Sequence, residues 1–123
     1  MRIVTRVAIT SGSNLDISVD QLGKDVIVRP SGRINVDSSP DLRDCLSAIL
    51  AEEPLPGAIT VDLTGVPYIE TSGIATLIEA LKIARHRHMT FSVEGLGGSV
   101  LRLFEVTGVL TLFDRGDGGE RVS

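Results

Sequence analysis

Few residues of this chain are spaced for chemistry, and most of those that are have an ordinary structural use. His86 and His88 flank Arg87. In a helix i and i+2 do not face one another, so the pair makes no two-ligand metal site and reads as a solvated basic helix end. Cys45 is the single cysteine, which excludes an intramolecular disulfide. It falls on an apolar stripe, where a small buried hydrophobe is a better account than a nucleophile. Asp37 and Asp41 beside Ser38 and Ser39 look like paired acids, but a loop and a helix start need no catalytic reason for them, and capping accounts for all four. Gly95-Leu96-Gly97-Gly98-Ser99 offers backbone N–H groups before a helix. It has no Lys and neither the P-loop nor the dinucleotide spacing, so it reads as a loop with Ser99 as an N-cap. No base, nucleophile and orienting group can be assembled, so the expectation is a protein that is not an enzyme, with no catalytic residues, metal or cofactor.

Glu70-Thr71-Ser72-Gly73 stands apart. Three acceptor-bearing side chains sit where a helix begins, and the first-turn N–H groups of a helix have no partners within it. On local chemistry Thr71 or Ser72 is an N-cap and Gly73 eases the turn. The same place equally suits a phosphate.

The elements that must position this tetrapeptide flank it. Ile59, Val61 and Leu63 alternate with Thr60 and Asp62, the pattern of a strand ended by Gly65 and Pro67. Ile74, Leu77, Ile78 and Leu81 recur at i, i+3, i+4, i+7, which predicts a helix to about His88, its basic last turns matching the negative end of the macrodipole. Upstream, Ile3–Ile9 reads as a short strand, so that residues 1–14 form an extra edge strand or a mobile tail. Leu15–Val19 and Val26–Arg29 read as an antiparallel pair around a loop over 20–25. Ser39, Pro40 and Asp41 give a cap, a first-position Pro and a first-turn acid for a helix that buries Leu42, Cys45, Leu46, Ile49 and Leu50 and stops before Pro54 and Pro56. Downstream, Thr90–Glu94 alternates as a strand. Val100, Leu103, Phe104 and Val106 face inward from a short helix with Gly108 at C′. Val109–Phe113 is expected to add a strand, and Asp114–Ser123 a flexible tail. Strands alternating with helices predict an α/β fold with right-handed parallel crossovers.

Composition limits the function classes. The 123 residues suit one domain, and 42% hydrophobic content with three Phe, one Tyr and no Trp makes the core aliphatic. Net charge of −4 opposes attraction to nucleic acid or an anionic membrane surface, so another protein is the expected partner. No apolar run approaches the roughly 18 residues that span a bilayer, and the amino terminus lacks a signal peptide's apolar stretch, which makes a cytoplasmic location the default.

From about Leu15 to Phe113 the chain resembles the anti-sigma-factor antagonist (STAS) family of small bacterial regulators. The resemblance is carried by residues 26–35, VIVRPSGRIN, by Val61-Asp62-Leu63 through Tyr68-Ile69-Glu70-Thr71-Ser72-Gly73-Ile74, and by residues 101–108, LRLFEVTG. It implies a STAS-like sheet of four or five strands, mixed in direction, with helices packed largely on one face, over a domain of residues 15–113. It also implies that Thr71 is the phosphoacceptor, with Ser72 the second choice, and that Asn35, Glu70, Thr71, Ser72 and Gly73 bind the partner. Departures are Thr71 where Ser is frequent, Glu70 where Asp is usual, and Asn35 where many members carry Asp. The implied partner is an anti-sigma factor with serine/threonine kinase activity: binding it frees a sigma factor, phosphorylation ends the binding, and a phosphatase restores it. The alternative is an unphosphorylated STAS scaffold or ligand-sensing domain in a stressosome-like or membrane-transport-associated complex.

Overall fold

The computed structural model describes residues 3–8 and 15–114. The expected loop at Thr10–Asn14 and the expected tail after Asp114 lie outside the described residues. In chain order the elements are β1 (Ile3–Ala8), β2 (Asp16–Leu22), β3 (Asp25–Ser31), α1 (Ser39–Leu50), β4 (Ala58–Asp62), α2 (Thr71–His86), β5 (Thr90–Glu94), α3 (Gly98–Val106) and α4 (Leu110–Asp114). The strands lie side by side in sequence order. β1, β2 and β3 run antiparallel, and β3, β4 and β5 run parallel through the α1 and α2 crossovers. The mixed α/β sheet expected from the sequence is therefore present, with β1 at its edge.

Alternation along the strands puts the core on one face. Val19 pairs with Val28, Val28 with Val61, Val26 with Ile59, and Ile59 with Phe91, and all six residues are buried. Leu42, Leu46 and Ile49 of α1, Ile74, Leu77 and Leu81 of α2, and Val100 and Phe104 of α3 are buried too and complete that core. The opposite face is polar: Thr60 and Ser92 hydroxyls lie 3.2 Å apart, and Arg29 pairs with Asp20 and, at 3.5 Å, with Asp62. Pro30 is tolerated in an interior strand because β3 there has outrun β4, whose pairing ends at Val28↔Val61.

Several local expectations are corrected. The loop over 20–25 shrinks to Gly23-Lys24, since Asp20, Gln21 and Leu22 stay paired to β3 and Gly23 takes φ +65°, the left-handed angle that a two-residue hairpin turn requires. The α1 N-cap position is Ser38, not Ser39, and its hydroxyl makes no capping bond. α2 ends at His86 because His88 takes φ 60°. The His88 N–H then donates to Arg85 O (3.0 Å) and the Met89 N–H to Ala84 O (2.8 Å), a Schellman closure with His in the place usual for Gly. Val106 is exposed, not inward. Val109–Phe113 is not a strand: after Gly108, at C′ with φ +78°, the chain forms α4, and Phe113 packs on Phe91 (centroids 6.4 Å) and Phe104 (5.8 Å). Burying that ring in the helical layer outweighs the β-propensity of a Val/Leu/Thr run.

Candidate functional site

The site lies where β3 and β4 run out at their carboxyl ends. Two loops meet there in a one-residue parallel bridge, Ile34↔Ile69. The Ile34 N–H donates to Tyr68 O (3.0 Å) and the Glu70 N–H to Ile34 O (2.8 Å). Both isoleucines are buried, so the bridge is anchored in the core while its polar neighbours face outward. Gly73 fits beneath it. A Cβ there would stand 2.5 Å from Ile34 Cγ2 and 2.8 Å from Ile69 Cγ1, so only glycine lets α2 start this close to the bridge.

The first loop is shaped by Asn35. Its side-chain oxygen accepts from the N–H groups of Asp37 (2.9 Å) and Ser38 (3.0 Å), an Asx turn. The Ser38 hydroxyl, buried, donates to Arg33 O (2.7 Å) and accepts from the Asn35 N–H (2.9 Å). The hydroxyl at the α1 N-cap position is thus spent on the loop.

The second loop leads into α2. Glu70 occupies the N-cap position with extended backbone but makes no side-chain cap; its carboxylate accepts from the Tyr68 hydroxyl (3.1 Å) instead. That bond, together with the nearby negative charge, raises the Tyr68 pKa above its ordinary value. The Arg33 guanidinium stands over the Tyr68 ring, 5.1 Å from its centroid. Thr71 and Ser72 are the first and second helical residues, so neither is the N-cap expected from local chemistry. Thr71 is exposed. The Ser72 hydroxyl oxygen is buried and has no hydrogen-bond partner. Tyr68, Ile69, Glu70 and Thr71 line an open cleft of about 440 Å³, closed on the far side by Ser99 and Leu103 of α3. Ser99, expected to cap α3, donates to Pro67 O (3.1 Å) and ties that helix to the cleft, while Gly97 holds the N-cap position.

With this geometry in place, comparison with known proteins is decisive. A family model described as Mlab, STAS domain, matches residues 17–114. The chain belongs to the STAS-domain family. The anti-sigma-B factor antagonist of Bacillus subtilis (strain 168) is 30% identical over 110 residues, 86% of this chain and 97% of that protein. An anti-sigma factor antagonist from Mycobacterium paratuberculosis superposes with a TM-score of 0.70 at 21% identity, over 85% of this chain and 87% of its own. The anti-sigma factor antagonist SpoIIAA in its unphosphorylated form gives 0.61 at 10% identity, over 72% and 81%. The two structural likenesses are of fold. Among the described residues of this STAS domain no helix is long and apolar enough to cross a membrane.

This STAS domain brings Asn35, Glu70, Thr71, Ser72 and Gly73 together at one end of the sheet, across the Ile34↔Ile69 bridge. Arg33 and Tyr68 join them without having been singled out from the sequence, and Ser38, read there only as a capping residue, joins them too. The signal for Tyr68 was its place two residues before Glu70 in extended backbone, where side chains share a side. Asp62 shapes the turn after β4: its carboxylate accepts from the Thr64 hydroxyl (2.6 Å) and N–H (3.0 Å). Those two bonds hold its pKa below the usual carboxylate range, with Arg29 assisting. Gly95 (φ +78°) passes so close that a Cβ would lie 2.5 Å from Asp62 Oδ1.

Proposed function

We propose that this STAS domain is an anti-sigma-factor antagonist that docks an anti-sigma factor through the surface around Thr71, releases the sigma factor, and is switched off by phosphorylation of Thr71. The observation that carries the reading is the contrast between two adjacent hydroxyls. Thr71 is exposed at the first position of a 16-residue helix, whereas the Ser72 oxygen is buried. A kinase can reach the former without unfolding the helix start. In the transfer, the Thr71 Oγ1 bonds to the γ-phosphorus of ATP, the bond to the ADP leaving group breaks, and the hydroxyl proton passes to a base of the kinase. The product carries about −1.5 to −2 charge at pH 7 beside Glu70, which changes the surface offered to a partner without requiring a new fold. The antagonist name shared by the B. subtilis relative, which this chain matches over nearly its whole length, supports the same reading.

The test is incubation with ATP and a cognate anti-sigma factor of the kinase type, followed by mass-spectrometric mapping. One phosphoryl group on Thr71, and none on a folded Thr71→Ala variant that still binds, is expected. Phosphate on Ser72 would refute the choice of acceptor. The second reading, an unphosphorylated scaffold, is favoured by Asn35, whose side-chain oxygen is committed to its own loop where many members carry a charge. Absence of phosphate, together with partner binding unchanged in Thr71→Glu, would select it.

A further inference from the structure

Arginines in this fold are used in two ways. Arg29 is held by Asp20 and Asp62, and Arg87 by Glu53 and the Leu50 carbonyl. Arg33 is exposed, makes no ion pair among the described residues, and rests on the Tyr68 ring. Its position is fixed by the backbone. The Ile34↔Ile69 bridge sets Arg33 level with Tyr68, and with Ile34 and Ile69 turned into the core, alternation puts Arg33, Tyr68 and Glu70 on the outer side. The hydrogen bond from the Tyr68 hydroxyl to Glu70 keeps the ring in place under the guanidinium. Tyr68 and Thr71 line the same cleft, and three residues of chain span at most about 10–11 Å. An exposed cation with no ion pair among the described residues therefore rests on a ring that lines the same cleft as Thr71.

We infer that Arg33 is the intramolecular receptor for a phosphate on Thr71: on modification its guanidinium leaves the Tyr68 ring and pairs with the phosphoryl oxygens. The inference rests on the reading of Thr71 as the acceptor. Its direction follows from the competing contacts. An exposed cation–π contact is weak, whereas a guanidinium and a phosphate of nearly two charges form paired, charge-assisted hydrogen bonds. Glu70 does not compete equally, because it carries one charge and its carboxylate already accepts from Tyr68. The consequence is a switch with two parts. Phosphorylation adds negative charge to the docking surface and at the same time withdraws the cation that the unmodified protein shows to its partner.

The test uses the full chain with phosphothreonine installed at position 71 during synthesis, so that no kinase is needed. Phosphorus NMR titration reads the second ionisation of the phosphate. In the wild type its pKa is expected at least about half a unit below that of Arg33→Gln, with Arg33→Lys between them, since a neighbouring cation favours the dianion. Tyr68 is the only tyrosine and there is no tryptophan, so intrinsic emission reports this one ring. Phosphate should change that emission in the wild type and leave it nearly unchanged in Arg33→Gln. Equal phosphate pKa values in the wild type and Arg33→Gln would overturn the inference, as would a Tyr68 signal with the same phosphate response in both. A kinase that leaves Thr71 unmodified overturns the acceptor reading instead, and the installed phosphate keeps the two failures apart.

Discussion

Replacing Gly73 by alanine tests how the helix that carries Thr71 is seated. The added Cβ would stand 2.5 Å from Ile34 Cγ2, 2.8 Å from Ile69 Cγ1 and 3.0 Å from Ile69 Cδ1, and both isoleucines are buried. Ile69 borders the cleft, but Ile34 is fully buried and its Cγ2 branches directly from Cβ, so α2 or the bridge must move. Overpacking of this kind costs about 1–3 kcal/mol, and the better helix propensity of Ala returns about 0.5–1 kcal/mol. The expected net loss is about 1 kcal/mol, or roughly 3–6 °C in Tm for a domain of this size. Gly73→Val, with two more methyl groups against the same neighbours, should lose more. Urea titrations followed by far-UV circular dichroism give the values. The cause is isolated by Ile34→Ala, which removes the methyl nearest the new Cβ: alone it costs about 2–5 kcal/mol through the cavity it leaves. Combined with Gly73→Ala it should cost about 0.5–2 kcal/mol less than the sum. Gly73→Ala as stable as the parent, or strictly additive losses, would refute the close-approach argument.

Three further outcomes follow from the same geometry. Ser72→Ala should raise stability by about 0.5–2 kcal/mol in the same titrations, because it removes a buried hydroxyl that has no partner; a loss would mean that the hydroxyl is bonded. Asn35→Ala should cost about 1–2 kcal/mol and weaken partner binding, since the N–H groups of Asp37 and Ser38 lose their acceptor, and a stable variant with full affinity by calorimetry would contradict this. The Asp62 pKa is lowered on folding, so its carboxylate contributes stability above the unfolded value near about 3.9 and loses it as pH falls through the folded value. The stability gap between wild type and Asp62→Asn should therefore be full at pH 6 and close with acidification, and a gap independent of pH would exclude the mechanism.

Much of this architecture was readable in the sequence because burial alternates on one face. Ile59, Val61 and Leu63 announced β4, and the i, i+3, i+4, i+7 residues from Ile74 announced α2. Failures came where tertiary contact overrode local chemistry. Ser38, Ser72 and Ser99 all stand at helix starts and none caps, because the chain entering each helix is held by contacts made elsewhere: the Asx turn of Asn35, the Ile34↔Ile69 bridge, and the tie to Pro67. Phe113 took its segment out of the sheet for the same reason, by finding Phe91 and Phe104. Within the site, the tetrapeptide from Glu70 to Gly73 was readable from residue type and place. Arg33 over Tyr68 was not, since two residues 35 positions apart meet only once β3 and β4 are paired.

The most direct measurement is release of sigma factor from its complex with the cognate anti-sigma factor, followed by fluorescence anisotropy of labelled sigma as this protein is titrated in. Unmodified protein should displace sigma stoichiometrically, and protein carrying phosphothreonine at position 71 should need at least about tenfold more, equivalent to roughly 1.4 kcal/mol. Equal displacement by the two forms would contradict the proposal that phosphorylation at Thr71 is the switch.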